Sequence, residues 1–472
     1  MQDKTQLSLM SIIMINEQAR LNHYDKCQDY YEGNQPLKVP EKYKKIIETE
    51  YNIKANYCKP IIEAPVSRLK VEGIKCEDKV VNKFLTDIWD NNRMDAKSIK
   101  FHRNAVKKGD SFAQVWPKFI HGTDKPIGYE IKFLRPDIVF PMYQSDDDES
   151  LAWVKKQWLT FDLDGLPMAR KDIFYHDRIE RYVATVSHYM GALSLGGYAM
   201  LQWQGYNQDG FEPILKNPYG IIPIVHFKNR EDDCPFGTTE LEDAFTLQDG
   251  INKLIIDLMR TSDFQAFKQR YISGADEDSF EIDEKTGKRT VQSNPGDVWL
   301  LPEESKVGDL EAADPKGILE SIDKLIDLLA EVTRTPRNIL QDSAGSASSG
   351  FALQKVEQPL IDKVQEMQIS FGNSYEDINK ILMTMGIHHK EIAKIEKTET
   401  IWKELTQTSP ADKLTIAQER QVKKQNKVIS AAEWQRLEGY TEEEIDNINA
   451  EIAAETELAT ADTLGDSFAN VT

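Results

Sequence analysis

Three apolar helical stripes, separated by two segments that cannot be helix, dominate the second half of the chain and limit what it can fold into. The first opens at Thr239-x-x-Glu242, a capping-box pattern, and runs through Leu241, Ala244, Phe245, Ile251, Leu254, Ile255, Leu258 and Met259. The spacing predicts that it continues to Ile272, about 34 residues or ~50 Å at a rise of 1.5 Å per residue. The second opens at Asp314-Pro315, an N-cap with proline at the first helical position. It carries Ile318, Leu319, Ile322, Leu325, Ile326, Leu329 and Val332, and Thr335-Pro336 stops it. The third carries Leu353, Val356, Leu360, Val364, Met367, Phe371, Tyr375, Ile378 and Leu382, in steps of 3, 4, 4, 3, 4, 4, 3 and 4. Pro359 lies inside this pattern and predicts a kink. Between the first two stripes, from Gly274 to Asp314, the period switches to two around a Thr286-Gly287 turn, with 12 acidic and 4 basic residues. Two helices bracketing a small acidic β module make a stalk. Between the second and third lies a loop of small residues, Gln341 to Gly350. A flexible linker has the same composition, but this one joins two strongly patterned helices.

The first half reads differently. Residues 1 to about 30 predict a helix stopped at Gly33. Ile61, Ile62, Val66 and Leu69 predict a second from Asn56 to Gly73; two more run from Asp78 through Trp89 and from Asp95 to about Lys108. From Ser111 to about Arg230 come β-type runs: Phe112–Trp116, Tyr129–Phe133, Leu151–Phe161, Ile173–Thr185 and Ile221–Phe227. Clusters of Gly, Pro, Asn and Asp separate them, which predicts a mixed, largely antiparallel β region and an α+β fold overall. The acidic runs Asp146–Glu149 and Asp162-Leu163-Asp164-Gly165 read as solvated turns. After Ala411 the chain is again helical, basic up to Ser430, and from Thr441 to Thr472 it holds nine acids and no base. That composition predicts a disordered end.

At 472 residues the chain is too long for one core, so two or three subdomains are expected. No run approaches the ~18 apolar residues of a membrane helix. Asn16, Glu17 and Gln18 stand where a secretory signal would place its cleavage site. Cys27, Cys58, Cys76 and Cys234 form no CxxC pair, which suggests free thiols in a reducing compartment. With 78 acidic against 58 basic residues the net charge is −20, which argues against adhesion to DNA through a general positive field. Catalytic signatures are sparse. There is no phosphate-binding GxxxxGK[ST], no HExxH and no nucleophile elbow. Ser67-x-x-Lys70 and Lys285-Thr286-Gly287 match two short elements of penicillin-binding enzymes, without the Ser-Asp-Asn between them. His388-His389 with Glu391 reads as a polar helix end. No metal or cofactor is expected.

Several segments carry a resemblance. They are Tyr30-Tyr31-Glu32-Gly33-Asn34-Gln35-Pro36-Leu37, Asn56-Tyr57 through Arg68-Leu69-Lys70-Val71-Glu72-Gly73, His102-Arg103-Asn104-Ala105, Gly109-Asp110-Ser111, and Pro223 to Asn229 ahead of the first long helix. Then follow the β insert, a helix ending Thr333-x-Thr335-Pro336, the small-residue loop, and Ser349-Gly350-Phe351-Ala352-Leu353 opening the third helix. In this order, over residues ~20 to ~385, they resemble the siphophage-type portal proteins of tailed bacteriophages.

The resemblance implies the portal fold, in a homo-oligomeric ring, usually of twelve subunits, at one capsid vertex of the virion, assembled in the host cytoplasm. It implies a wing at 1–235, stem helices at 236–273 and 314–336, and a clip at 274–313. A tunnel loop would follow at 337–350, the kinked helix and the rest of the wing at 351–410, crown helices at 411–455 and an acidic tail at 456–472. The tunnel loop would put Gln341, Asp342, Ser343, Ser346, Ser348 and Ser349 beside double-stranded DNA that passes without sequence-specific binding. The clip, with Asp276, Asp278, Asp283, Lys285, Lys288, Arg289 and Trp299, would dock a terminase large subunit and later the head-completion or adaptor proteins. Major capsid and scaffolding proteins are further implied partners; a membrane is not. Lys253, Arg260, Lys268, Lys316, Lys324, Arg334 and Arg337 become candidates for positive rings near DNA, although helix-surface charges or salt bridges account for them more simply. Two rival classes compete: a metal-dependent DNA-processing enzyme using Asp146, Asp148, Asp276 and Asp278, and a cytosolic scaffold that assembles through its long helices.

Overall fold

The structure is a computed structural model that describes residues 2–38, 53–120, 125–144, 147–162, 164–186, 201–207, 212–230, 234–266, 270–273, 306–309, 314–341, 350–405, 410–426, 430–437, 445 and 447–452. It divides into two compact units, Met1–Ser348 with Lys355–Lys403, and Ser349–Gln354 with Glu404–Thr472.

The first unit begins with α1 (Gln2–Glu32), which ends at Gly33 in the left-handed region, φ 77°. There Gly33 N–H and Asn34 N–H return to the carbonyls of Tyr30 and Asp29 and close the last turn. α2 (Cys58–Arg68) is followed by strand β1 (Val71–Cys76), where the aliphatic spacing predicted helix as far as Gly73. The helix stops because β1 has a partner, antiparallel β13 (Thr398–Trp402), that lies far along the chain and leaves no local signature. The Asp78 carboxylate caps α3 (Lys79–Asn91) by accepting from Val80 and Val81 N–H. α4 (Met94–Lys108) leads through Gly109 into β2 (Asp110–Phe119).

Two antiparallel sheets follow. In the first, β2 lies between β3 (Pro126–Leu134) and β10 (Ile224–Lys228). The second runs β4 (Val139–Gln144), β5 (Asp147–Phe161), β6 (Pro167–Phe174), β7 (Arg178–Thr185) and β8 (Gln204–Gly205), with β9 (Ile214–Lys216) also pairing β7. The predicted run Ile173–Thr185 is therefore the end of one strand, a turn, and the next strand. Phe112, Leu134, Val139, Val154, Phe174 and Ile224 form a buried cluster shared by the two sheets. Behind the smaller sheet an aromatic stack, Phe101 on Phe227 at 5.1 Å with Tyr375 edge-on to Phe227, joins α4 and β10 to the long helix α8 (Gly350–His388).

The stalk is shorter than its periodicity suggested. Residues 240–244 are turns, α5 spans Phe245–Ala266, and Arg270–Ser273 is already strand (β11), paired antiparallel with β12 (Lys306–Asp309). Ile272 faces Val307 across that ladder instead of continuing a helix. The chain returns along α6 (Lys316–Val332), whose first free N–H, that of Lys316, binds the Asp314 carboxylate at 2.9 Å. A short α7 (Arg337–Leu340) precedes the small-residue loop. In the second unit, α9 (Pro410–Gln425) and α10 (Ala431–Leu437) meet where Lys424 lies 4.2 Å over the Trp434 ring. Among the described residues no helix is long and apolar enough to cross a membrane.

Candidate functional site

The two stalk helices leave much of their apolar surface uncovered. They approach closely enough that a Cβ on Gly250 would meet Leu325 at 3.3 Å, and Ile251, Ile256, Ile326 and Leu329 are buried. Farther along, Leu254, Ile255, Leu258, Met259 and Ile322 stay partly exposed, and Leu319 is exposed. A single hairpin of helices cannot satisfy stripes this wide.

The root of the stalk is held by buried polar groups, and several of the residues that carried the resemblance turn out to be among them. Asp110, wholly buried, accepts from the Arg20 guanidinium and the Tyr24 hydroxyl, each at 2.5 Å, and from Gly237 N–H at 2.8 Å. Its other contact is His226 Nε2 at 2.8 Å, while His226 Nδ1 faces the Tyr143 hydroxyl at 2.6 Å. The neutral Nε2–H tautomer satisfies both, and burial keeps the imidazole below its ordinary pKa. Burial alone would raise the Asp110 carboxyl; the bond from His226 and the charge of Arg20 outweigh it and hold it below the usual carboxylate range. Gly109 and Gly237 cross so closely that a Cβ on either would strike the other's carbonyl, and Gly109 has φ +89°. Only glycine fits there.

One turn on, Glu240 and Lys363 form an ion pair at 3.1 Å, each only 3% exposed. Lys363 also donates to the Thr333 carbonyl at 2.7 Å, and Asn229 donates to Glu240 at 3.0 Å. The entrance of α5, the exit of α6, the end of β10 and the middle of α8 therefore meet at one point. Burial lowers the Lys363 pKa even against the attraction of Glu240. Two further ties anchor α5 to the N-terminal helices. Tyr30 donates to Asp249, which also pairs Lys38 at 2.6 Å, and Gln248 and Asn252 hold the backbone of Ala55 and Tyr57. Nearby, Arg103 grips Glu63 through two nitrogens at 2.7 and 3.0 Å, with Tyr31 donating to the same carboxylate.

Four of the seven candidate DNA-facing charges pair with acids of the same chain. Lys253 pairs with Asp257 at 3.1 Å, Lys316 with Glu320 at 3.9 Å, and Arg334 with Glu366 at 3.1 Å. Arg337 bridges Asp327 and Asp323 and donates to Gln341. Arg260 lies partly exposed on α5 and Lys324 exposed on α6. Lys268 lies outside the described residues, as do Asp342, Ser343, Ser346, Ser348 and Ser349 of the loop and Asp276, Asp278, Asp283, Lys285, Lys288, Arg289 and Trp299 of the insert. The structure thus brings the described stem candidates onto α5, α6, the turn after α6 and α7, with acids beside most of them. Of these ties the sequence offered only Asp110, Tyr30, His226, Asn229 and Thr333, as parts of motifs; Glu240, Asp249 and Lys363 carried no signal, because their partners come from distant segments.

The short enzyme-like match and the His-His-Glu helix end make ordinary structural contacts. Ser67 donates to the Ala64 carbonyl, His389 faces the Tyr219 hydroxyl at 2.8 Å, and Glu391 accepts from Tyr129. Asp146 is outside the described residues, and among those described no three His, Cys, Asp or Glu side chains converge as metal ligands.

These features define a class: an α+β protein whose helical hairpin carries an inserted module and is locked at its root to a long helix. Residues 12–458 match the family of phage portal proteins of the SPP1 Gp6-like type, and the chain belongs to that family. The portal proteins of Mycobacterium phages L5 and D29 are each 22% identical to it, over 202 and 209 residues, or 42% and 43% of this chain. The matched regions span 41% and 43% of those relatives' lengths. Among solved structures, the neck of a native gene transfer agent particle, computed with C12 symmetry, aligns with a TM-score of 0.44 and 12% identity over 86% of this chain and 96% of that one. The virion of the native gene transfer agent particle aligns at 0.42 and 13%, with the same coverage.

Proposed function

We propose that this chain is the portal subunit of a tailed phage. A ring of copies, twelve by the family resemblance, sits at one capsid vertex and forms the channel through which DNA is packaged and ejected. The observation that carries this reading is the α5–α6 pair: its apolar stripes are half covered in one chain and its root is fixed by buried charge, as a stem that packs against copies of itself requires. Residues 274–313, with β12 inside them, are then the clip, which docks a terminase and later the head-completion proteins. The loop after α7 faces the duplex. Short, nearly neutral side chains there suit a sliding phosphate backbone, because they contribute little of the counterion-release affinity that would arrest it. The paired stem cations fit structural salt bridges better than rings that grip DNA.

Negative-stain electron microscopy of the purified chain tests the reading. Closed rings with a central channel are expected. Monomers that cut DNA in the presence of a divalent ion would favour the enzyme, and open filaments the scaffold.

A further inference from the structure

The larger sheet carries a knob at one end and a groove at the other. The knob is the β5–β6 hairpin. Leu159, Phe161 and Leu166 project there 48%, 71% and 48% exposed, far more than an apolar cluster at a finished surface needs. The turn beneath them is tightly built: the Asp162 carboxylate accepts from Asp164 N–H at 3.0 Å and Leu166 N–H at 2.7 Å, and Gly165 takes φ 79°. Eight consecutive register pairs, Val154↔Phe174 to Phe161↔Pro167, stiffen the hairpin behind it.

The groove, of about 900 Å³, lies where β4, β5 and β10 meet α8. Leu151, Ile224, Met367 and Ile381 line it, and Ile369 stands in it 70% exposed. That volume accommodates a drug-sized body, and so a few apolar side chains. Two of its charges are satisfied by residues already described, Lys363 by Glu240 and Glu366 by Arg334. Its other lining charges are Lys228, which lies 5.1 Å from the Tyr143 ring centre, Arg230, and Lys380 beside Asp377, so the lining holds four cations and two carboxylates. The groove therefore joins apolar side chains to a net positive lining, and the knob is apolar with two aspartates, Asp162 and Asp164, at its tip.

The knob cannot fill the groove of its own chain. Leu151 at the groove and Phe161 at the knob lie on the same strand, ten positions apart, or roughly 33 Å along a continuous ladder. A complementary pair at opposite ends of one rigid element makes a head-to-tail contact, which closes into a ring when the rotation per step allows it. We infer that the β5–β6 hairpin of one copy seats in the β10–α8 groove of the next and is a principal contact between neighbouring subunits. This rests on the portal reading and names the surface by which its ring closes.

Cysteine cross-linking tests it. In a Cys234→Ser background, Leu166→Cys and Ile369→Cys together, treated with a short bis-maleimide, are expected to give a ladder of covalent multimers. Mixing two chains that each carry one of these cysteines should give only dimers of unlike chains. Lys380→Glu should lower ring yield at least several-fold, and Asp164→Lys added to it should restore much of the loss; both positions are exposed, so folding is checked by circular dichroism. Rings from the parent chain with no ladder and no charge rescue would overturn the contact and leave the portal reading standing. A parent chain that forms no rings at all would overturn both.

Discussion

Lys363 and Glu240 show what a single buried pair does in this protein. Each is desolvated, and each is hydrogen-bonded to a different strand or helix end, so removing one partner leaves the other charged and buried. Glu240→Gln should cost about 3–5 kcal/mol in urea unfolding, whereas Lys363→Met with Glu240→Leu should come much closer to neutral. A loss under 1 kcal/mol for the single change would mean the site is wetter than described. His102 gives the pH dependence. It is fully buried against Phe371 and Tyr375, and burial lowers its pKa from 6.5 to about 3. Below pH 6.5 the unfolded chain takes up a proton that the folded chain refuses, so stability falls as pH drops towards about 3. Between pH 6.5 and 5 the loss should be about 2 kcal/mol, with His226 adding in the same direction. His102→Gln should flatten that slope; an unchanged slope would assign it to other groups. The sequence marked His102, Asp110 and Tyr30 as motif members but not their purpose. A side chain whose partners lie 86 to 273 residues away leaves no periodicity to read.

Elements were legible where they make their own signal. The long stripes Ile318–Val332 and Leu353–Leu382 fall inside observed helices, α6 and α8, because an apolar face repeating every three or four residues has one solution. β1 was not legible, since its character depends on β13, and α5 lost both predicted ends to turns and to a strand. Lys253 with Asp257 is a pair readable from i,i+4 spacing; Arg337 with Asp323 and Asp327 needs the fold. At this scale the Gly109–Gly237 crossing is the sharpest constraint. Gly109→Ala or Gly237→Ala should lower stability by about 1–3 kcal/mol, read as a shifted denaturant midpoint, whereas Gly73→Ala, which has open space around it, should not incur that steric cost. On the proposed assignment, deleting Asp276 to Arg289 should preserve rings in micrographs and abolish capture of the terminase. A deletion chain that still binds the motor would remove the clip from this insert.

For the whole molecule, on the portal reading the charge of −20 per chain would become about −240 in a twelve-fold ring around a polyanion. Net repulsion of that kind would steer a duplex towards the axis, so a composition that argues against a DNA-gripping protein suits the proposed conduit. Purified rings should give no gel shift with double-stranded DNA at 150 mM salt, where non-specific binders of DNA show Kd values of roughly 10⁻⁴–10⁻⁶ M; a shift in that range would require positive surface inside the channel.

The polar root of the stalk also fixes when the protein can finish folding during its synthesis. Gly237 leaves the ribosome 127 residues after the Asp110 it completes, and Asp249 comes 219 residues after Tyr30. At ordinary elongation rates that second interval is roughly 10–45 s. Throughout it Tyr30 lacks Asp249, whereas Arg20 and Tyr24 lack Asp110 only until it emerges, 90 and 86 residues after them. α1 thus completes its ties only once α5 has been made, and on the portal reading a subunit short of α5 would have no rooted stalk to offer a growing ring.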